Sequence, residues 1–129
     1  MGTRCAALIK SEDNYSEYYY RHWDGYPSRT GAELLNLTQA LEWKPEAMCR
    51  VLSRSTSEGM SDGDTIYVAF PEIGFERAGD LPLTDLDYFY LIDCDCREIR
   101  CYENMFGINA RDLSCLPRYK VLKWRKPIS

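Results

Sequence analysis

Tyr15-Ser16-Glu17-Tyr18-Tyr19-Tyr20-Arg21-His22-Trp23, closed by Asp24-Gly25-Tyr26-Pro27, is the stretch whose reading decides the fold. Aromatic residues this dense favour a strand. The apolar run Thr3 to Ile9 lies just before it, across the polar cluster Ser11-Glu12-Asp13-Asn14, so the two runs read as a β-hairpin. Strand side chains alternate between faces, which sets Tyr18, Tyr20 and His22 on one side and Tyr19, Arg21 and Trp23 on the other. Gly25 tolerates a positive φ and Pro27 biases Tyr26 toward extended backbone, so the strand stops there.

Helical periodicity follows. Thr30-x-x-Glu33 has capping-box spacing, and Leu34, Leu37 and Leu41 recur at i, i+3 and i+7. Pro45 suits the first turn of a shorter helix carrying Ala47, Met48, Val51 and Leu52. Residues 53–63 read as a hydrophilic loop, and Thr65 to Phe70 as a strand stopped by Pro71. Asp87 to Cys94 and Glu98 to Glu103 flank Asp95-Cys96-Arg97 as a second hairpin, and a single helical turn is expected within 110–113. The expected fold is α+β: a mostly antiparallel sheet of about five or six strands, with one long and one short helix on one face.

A chain of 129 residues fits one domain, 1–129, with no internal repeat or linker. Its composition, 45% hydrophobic and 28% charged, is that of a globular protein. No apolar run reaches the roughly 20 residues a membrane-spanning helix requires, and the N-terminal greasy stretch is short for a secretory signal. A cytoplasmic location is the expectation. Charge is unevenly placed: the formal net charge is −4, yet residues 118–129 hold Arg118, Lys120, Lys123, Arg125 and Lys126 with no acid. Without those five, 11 basic residues face 20 acidic ones, a body of about −9. Such a body repels phosphate, which argues against nucleic acid as a partner. The segment from Tyr119 to Trp124 reads as a final strand within the same molecule.

The six cysteines are expected as reduced thiols that mostly fill core. Cys94, Cys96, Cys101 and Cys115 supply four sulfurs, the number a tetrahedral zinc site takes, but their spacing differs from the paired Cys-x2-Cys knuckles of ribbons and fingers. A zinc domain is therefore the alternative, and no cofactor is the expectation. Asp85, Asp87, Asp93 and Asp95 offer hard oxygen ligands for a cation, with the hairpin tip explaining the last two equally well. Phosphate-loop, serine-esterase and zincin motifs are missing from the chain. The lone histidine, His22, is the natural general base of any near-neutral mechanism, with Asp24 and Tyr26 beside it, so a small hydrolase-like enzyme centred on these residues is the enzymatic alternative.

Arg21-His22-Trp23-Asp24-Gly25-Tyr26-Pro27, after a hairpin and before a helix that starts near Gly31, resembles the opening of small uncharacterised proteins encoded by bacteria, phages and prophages. The resemblance covers residues 2–42. It implies a microbial or mobile-element source and a hairpin-helix start, without implying a reaction.

Ten Tyr and three Trp are a surplus for one small core, and such rings concentrate in interfaces. The expected binding residues are Tyr18, Tyr20, Trp23 and Tyr26, joined by Lys123, Trp124 and Arg125 of the basic end. Glu12, Asp13 and Glu17 edge the Tyr18–Tyr20 face and suit a basic partner. The functional expectation is a non-enzymatic phage- or prophage-type protein that binds a host or phage protein stoichiometrically, in its most concrete form an inhibitor of a host defence effector such as a CRISPR nuclease.

Overall fold

The computed structural model describes residues 3–53 and 74–122. β1 (Cys5–Ser11) turns at Glu12-Asp13 into β2 (Asn14–Tyr15). Both turn residues have positive φ, 51° and 65°, the conformation of a two-residue hairpin turn whose twist matches the strands. The aromatic run does not continue as one strand. At Ser16 the amide still donates to Ile9 O (2.8 Å), but the side-chain Oγ takes the carbonyl's place in accepting from Ile9 N at 2.9 Å, and strand pairing with β1 resumes only at β3 (Tyr19–Arg21).

The chain then forms a π-helical turn over Pro27–Gly31, α1 (Ala32–Ala40) and α2 (Pro45–Leu52). The capping box expected from Thr30 and Glu33 is not made. Thr30 Oγ1 donates instead to the Asp24 carbonyl and accepts from Arg21, and Glu33 also turns to Arg21, so the helical segment starts earlier, at Pro27. Beyond α2 come β4 (Glu76–Arg77), the long hairpin of β5 (Thr84–Asp93) and β6 (Glu98–Asn109), a 3-10 turn at Leu113–Cys115, and β7 (Lys120–Leu122). The strand expected at 65–70 and all but Ser53 of the loop expected at 53–63 lie outside the described residues; Ser53 caps the end of α2.

The strands form one sheet in the order β4-β3-β1-β5-β6-β7, with β2 also paired to β1. Five of its six pairings among the described residues are antiparallel. The sixth, β1 with β5, is parallel and runs from Cys5↔Tyr88 to Lys10↔Asp93 at the centre of the sheet. The fold is thus α+β as the sequence predicts, with a mixed rather than purely antiparallel sheet. A parallel centre results because the chain re-enters beside β1 after a long crossover through both helices. β1 is apolar on both faces for the same reason: covered above and below, Cys5 through Ile9 are all buried.

Both helices cover one face, where Leu34, Leu37, Met48, Val51 and Leu52 pack on Ile9, Tyr19, Tyr90 and Ile99. The other face has no helix among the described residues. Loop residues Ala78, Leu83 and Ala110 close it over Leu8, Phe89, Leu91 and Met105. A row of rings crosses this second face, Tyr18 to Phe89 (6.1 Å), Phe89 to Tyr102 (5.8 Å) and Tyr102 to Tyr119 (5.6 Å). Arg111 lies over Tyr18 at one end and Arg100 over Tyr119 at the other. Stacking at these separations adds to the area each ring buries.

Candidate binding surface

The segment after β3 is held by backbone and buried side chains. Gly25 N donates to Thr3 O (2.9 Å), and the buried Tyr90 hydroxyl donates to Gly25 O (2.6 Å). A Cβ at Gly25 would stand 2.5 Å from Thr3 O and 2.9 Å from Cys5 Cβ, so the close approach to β1 requires glycine. Asp24 adopts φ 55°, and its carbonyl takes the Thr30 hydroxyl. Beneath the segment, the buried Arg21 guanidinium bonds Glu33 (2.9 Å) and Thr30 (3.2 Å), with Arg29 also reaching Glu33 (3.3 Å). Each polar group placed under this turn therefore has a partner, as burial demands.

The same segment turns three rings outward. Trp23 is 59% exposed, Tyr26 is 38% exposed, and His22 is exposed. His22 meets Trp23 edge-on at 4.7 Å, and its Nδ1 shares a 2.9 Å hydrogen bond with the Tyr20 hydroxyl. Tyr20 in turn lines a shallow cleft of about 290 Å3 with Arg4, Leu81, Pro82, Thr84, Asp85 and Leu86. Burial raises the Tyr20 phenol above its ordinary range; Arg4 opposes that shift, and Cys5, Glu76 and Asp87 add to it. Trp23, His22, Tyr20 and the exposed Leu81 thus form a continuous surface at the end of the sheet where β1 and β5 begin.

Other candidates are placed differently. Tyr18 shares a face with Tyr20, as the alternation predicts, but the face is the one without helices. Its hydroxyl donates to Ala110 O (3.0 Å) and its ring lies between Phe89 and Arg111. Glu12 and Asp13 sit in the turn beyond Ser11, at the far end of β1 from Trp23, about 20 Å along a seven-residue strand. Glu17 pairs with Arg77 at 2.9 Å. Lys123, Trp124 and Arg125 lie outside the described residues, although Lys120–Leu122 does form the final strand. No hydrogen bond joins the Asp24 carboxylate or Tyr26 to His22 among the described residues, where His22 Nδ1 meets the Tyr20 hydroxyl instead.

The four cysteines of the zinc alternative are dispersed. Cys94 and Cys101 are buried on the helix face, Cys96 is exposed at the hairpin tip, and Cys115 is exposed and donates to Asp112 (3.1 Å). Among the described residues no three His, Cys, Asp or Glu side chains gather as a metal site. The four aspartates of β5 and its turn likewise divide. Asp93 is buried against Arg100 (3.0 Å) and the Asp95 and Cys96 amides, whereas Asp85 and Asp87 lie at the opposite end of the strand. No helix among the described residues is long and apolar enough to cross a membrane.

The Arg21–Thr30–Glu33 cluster and the part played by Leu81 escape sequence reading. Thr30-x-x-Glu33 carries a standard helix-start signal that tertiary pairing overrides, and nothing local marks a leucine 58 positions away as a neighbour of Trp23's surface. No family model, curated protein or solved structure matches the chain.

Proposed function

We propose that the protein acts without catalysis, by binding another protein stoichiometrically through the surface of Trp23, His22, Tyr20 and Leu81. One observation carries this reading: Trp23 is 59% exposed on a segment whose backbone is pinned from beneath. A tryptophan carried on a turn whose backbone is already fixed has mainly its own side-chain freedom to lose on docking, so its burial translates into affinity with a small ordering cost. Tyr26 extends the exposed rings on the same segment. The resemblance to phage and prophage proteins supports a host protein as the partner, with inhibition of a defence effector such as a CRISPR nuclease as the specific form.

The test is affinity capture from a bacterial host lysate, with the stoichiometry of the captured complex measured by light scattering. Wild type is expected to retain a partner at a fixed ratio that Trp23→Ala releases while its circular dichroism stays native. If Trp23→Ala retains the partner, or if His22→Ala alone abolishes function with binding intact, the binding reading fails and chemistry at His22 takes its place.

A further inference from the structure

Resting on that reading, we infer that the Trp23 surface receives a cationic segment of its partner, an arginine or lysine side chain laid against the rings. Charge complementarity selects the occupant. The cations in this region are held by other groups of the chain: Arg4 donates to Asp85 O (2.7 Å), Arg111 to Gly79 O (2.7 Å) and Leu81 O (2.8 Å), and Arg77 to Glu17 (2.9 Å). The neighbouring carboxylates outnumber the cations left without an ion pair. Glu76, opposite Tyr20 on β4, Asp80, beside Leu81, and Asp85 and Asp87, at the start of β5, form no ion pair among the described residues.

Asp85 and Asp87 do accept backbone N–H groups, from Gly107 (2.7 Å) and Arg4 (2.8 Å), which fix the carboxylates without neutralising them. An exposed indole joined through His22 and Tyr20 to fixed negative charge is an arrangement that attracts a guanidinium or ammonium, through the ring face and through the carboxylates together. An anionic partner would meet four unpaired carboxylates against two arginines, Arg4 and Arg111, that backbone carbonyls hold in place, so the local balance of charge is negative. The aromatic surface supplies contact area, and the acids around it choose the sign of what docks.

The experiment is a titration of the full chain, followed by two-dimensional amide and indole NMR, with acetylated tetra-arginine, tetra-glutamate and tetra-serine peptides. Tetra-arginine is expected to shift the Trp23 indole N–H and the amides of Leu81 and Asp85, and to weaken as NaCl is raised. Tetra-glutamate and tetra-serine should leave them unmoved. Trp23→Ala should lower tetra-arginine affinity about tenfold, and Glu76→Gln with Asp80→Asn, both at exposed positions, should lower it several-fold with the spectrum otherwise native.

The inference is overturned if tetra-glutamate or tetra-serine binds equally well, if the shifts fall on Glu12 to Glu17, or if tetra-arginine does not bind. A failed titration alongside Trp23-dependent capture would sink the cationic ligand and leave the binding reading standing. Tetra-arginine bound at Trp23 with no Trp23-dependent capture would do the reverse.

Discussion

The hydroxyl of Tyr90, at the centre of the sheet, donates a 2.6 Å hydrogen bond to the carbonyl of Gly25, so the turn that presents Trp23 is fastened to a strand 65 residues further along the chain. Removing either side should cost stability without touching the exposed rings. Tyr90→Phe leaves a buried carbonyl unpaired and is expected to cost about 1–3 kcal/mol. Gly25→Ala forces β1 and the turn apart, costing about as much or more. Gly31→Ala should be milder, because its new Cβ meets the movable tip of Leu122 at 2.9 Å rather than backbone. Urea unfolding of the three variants measures the order.

The Arg21 cluster predicts an asymmetry. Glu33→Ala leaves the buried guanidinium without a counter-charge, holding only the Thr30 hydroxyl and the Phe75 ring, and is expected to destabilise by about 3 kcal/mol. Arg21→Met keeps much of the packing and leaves a half-buried Glu33 that still has Arg29, so its cost should be smaller. Equal losses in thermal or urea unfolding would show that the pair is not buried as described.

The two described tryptophans should behave oppositely. Trp23→Ala is expected to change stability by no more than about 0.5 kcal/mol, as exposed substitutions do. Trp43, 8% exposed between the helices, should cost about 3–5 kcal/mol when cut to alanine. Acrylamide quenching that falls sharply in Trp23→Ala and not in Trp43→Phe would confirm the assignment.

Acid should weaken the fold through Asp93. Burial alone would raise its pKa, but the Cys96 amide, Lys10, Arg100 and the Asp95 amide together hold it below the ordinary carboxylate value. A carboxyl depressed in the folded state binds fewer protons there than when unfolded, so it stabilises the fold above its unfolded pKa. That contribution fades as pH falls from about 4 toward the lower folded value. Urea midpoints measured between pH 2 and 6 should therefore decline on acidification, and Asp93→Asn should lower the midpoint at pH 6 while flattening the decline.

Thiol reactivity should sort by burial. Burial pushes Cys5, Cys94 and Cys101 up to about 12, and at Cys5 it outweighs the opposing pull of Arg21. Cys96 and Cys115 stand exposed. An aromatic disulfide reagent at pH 8 should label those two first, half-buried Cys49 more slowly, and all six only on unfolding. With its four candidate sulfurs dispersed, the protein should keep its thermal midpoint in the presence of a zinc chelator.

Local pattern carried the elements and missed their pairing. The leucines of α1, the Pro45 start of α2 and the β5–β6 hairpin each have a signal within a dozen residues, and each forms where that signal points. The parallel contact of Ala7 with Tyr90 has no local signal, because it depends on what lies between. The proposed binding surface is half legible. Trp23 and Tyr20 stand out as rings, and alternation correctly pairs Tyr20 with Tyr18. Whether a ring faces solvent or a covering loop depends on Ala78, Leu81 and Ala110, which no periodicity ties to β3. The acids beside the rings came out wrong for the same reason: Glu12 and Asp13 are near in sequence, but Asp85 and Asp87 are near in space.

Strand β1 takes its neighbours from β3, a few residues away, and β5, about eighty residues away. A growing polypeptide emerging from the ribosome can close the early β-hairpin at once, yet it must wait for Asp93 before its middle rung is filled. Until then one long edge of a strand that is apolar from Cys5 to Ile9 stands open. Closing so large a loop is slow for entropic reasons, which makes that interval the time when the nascent chain is most prone to aggregate and most dependent on chaperones.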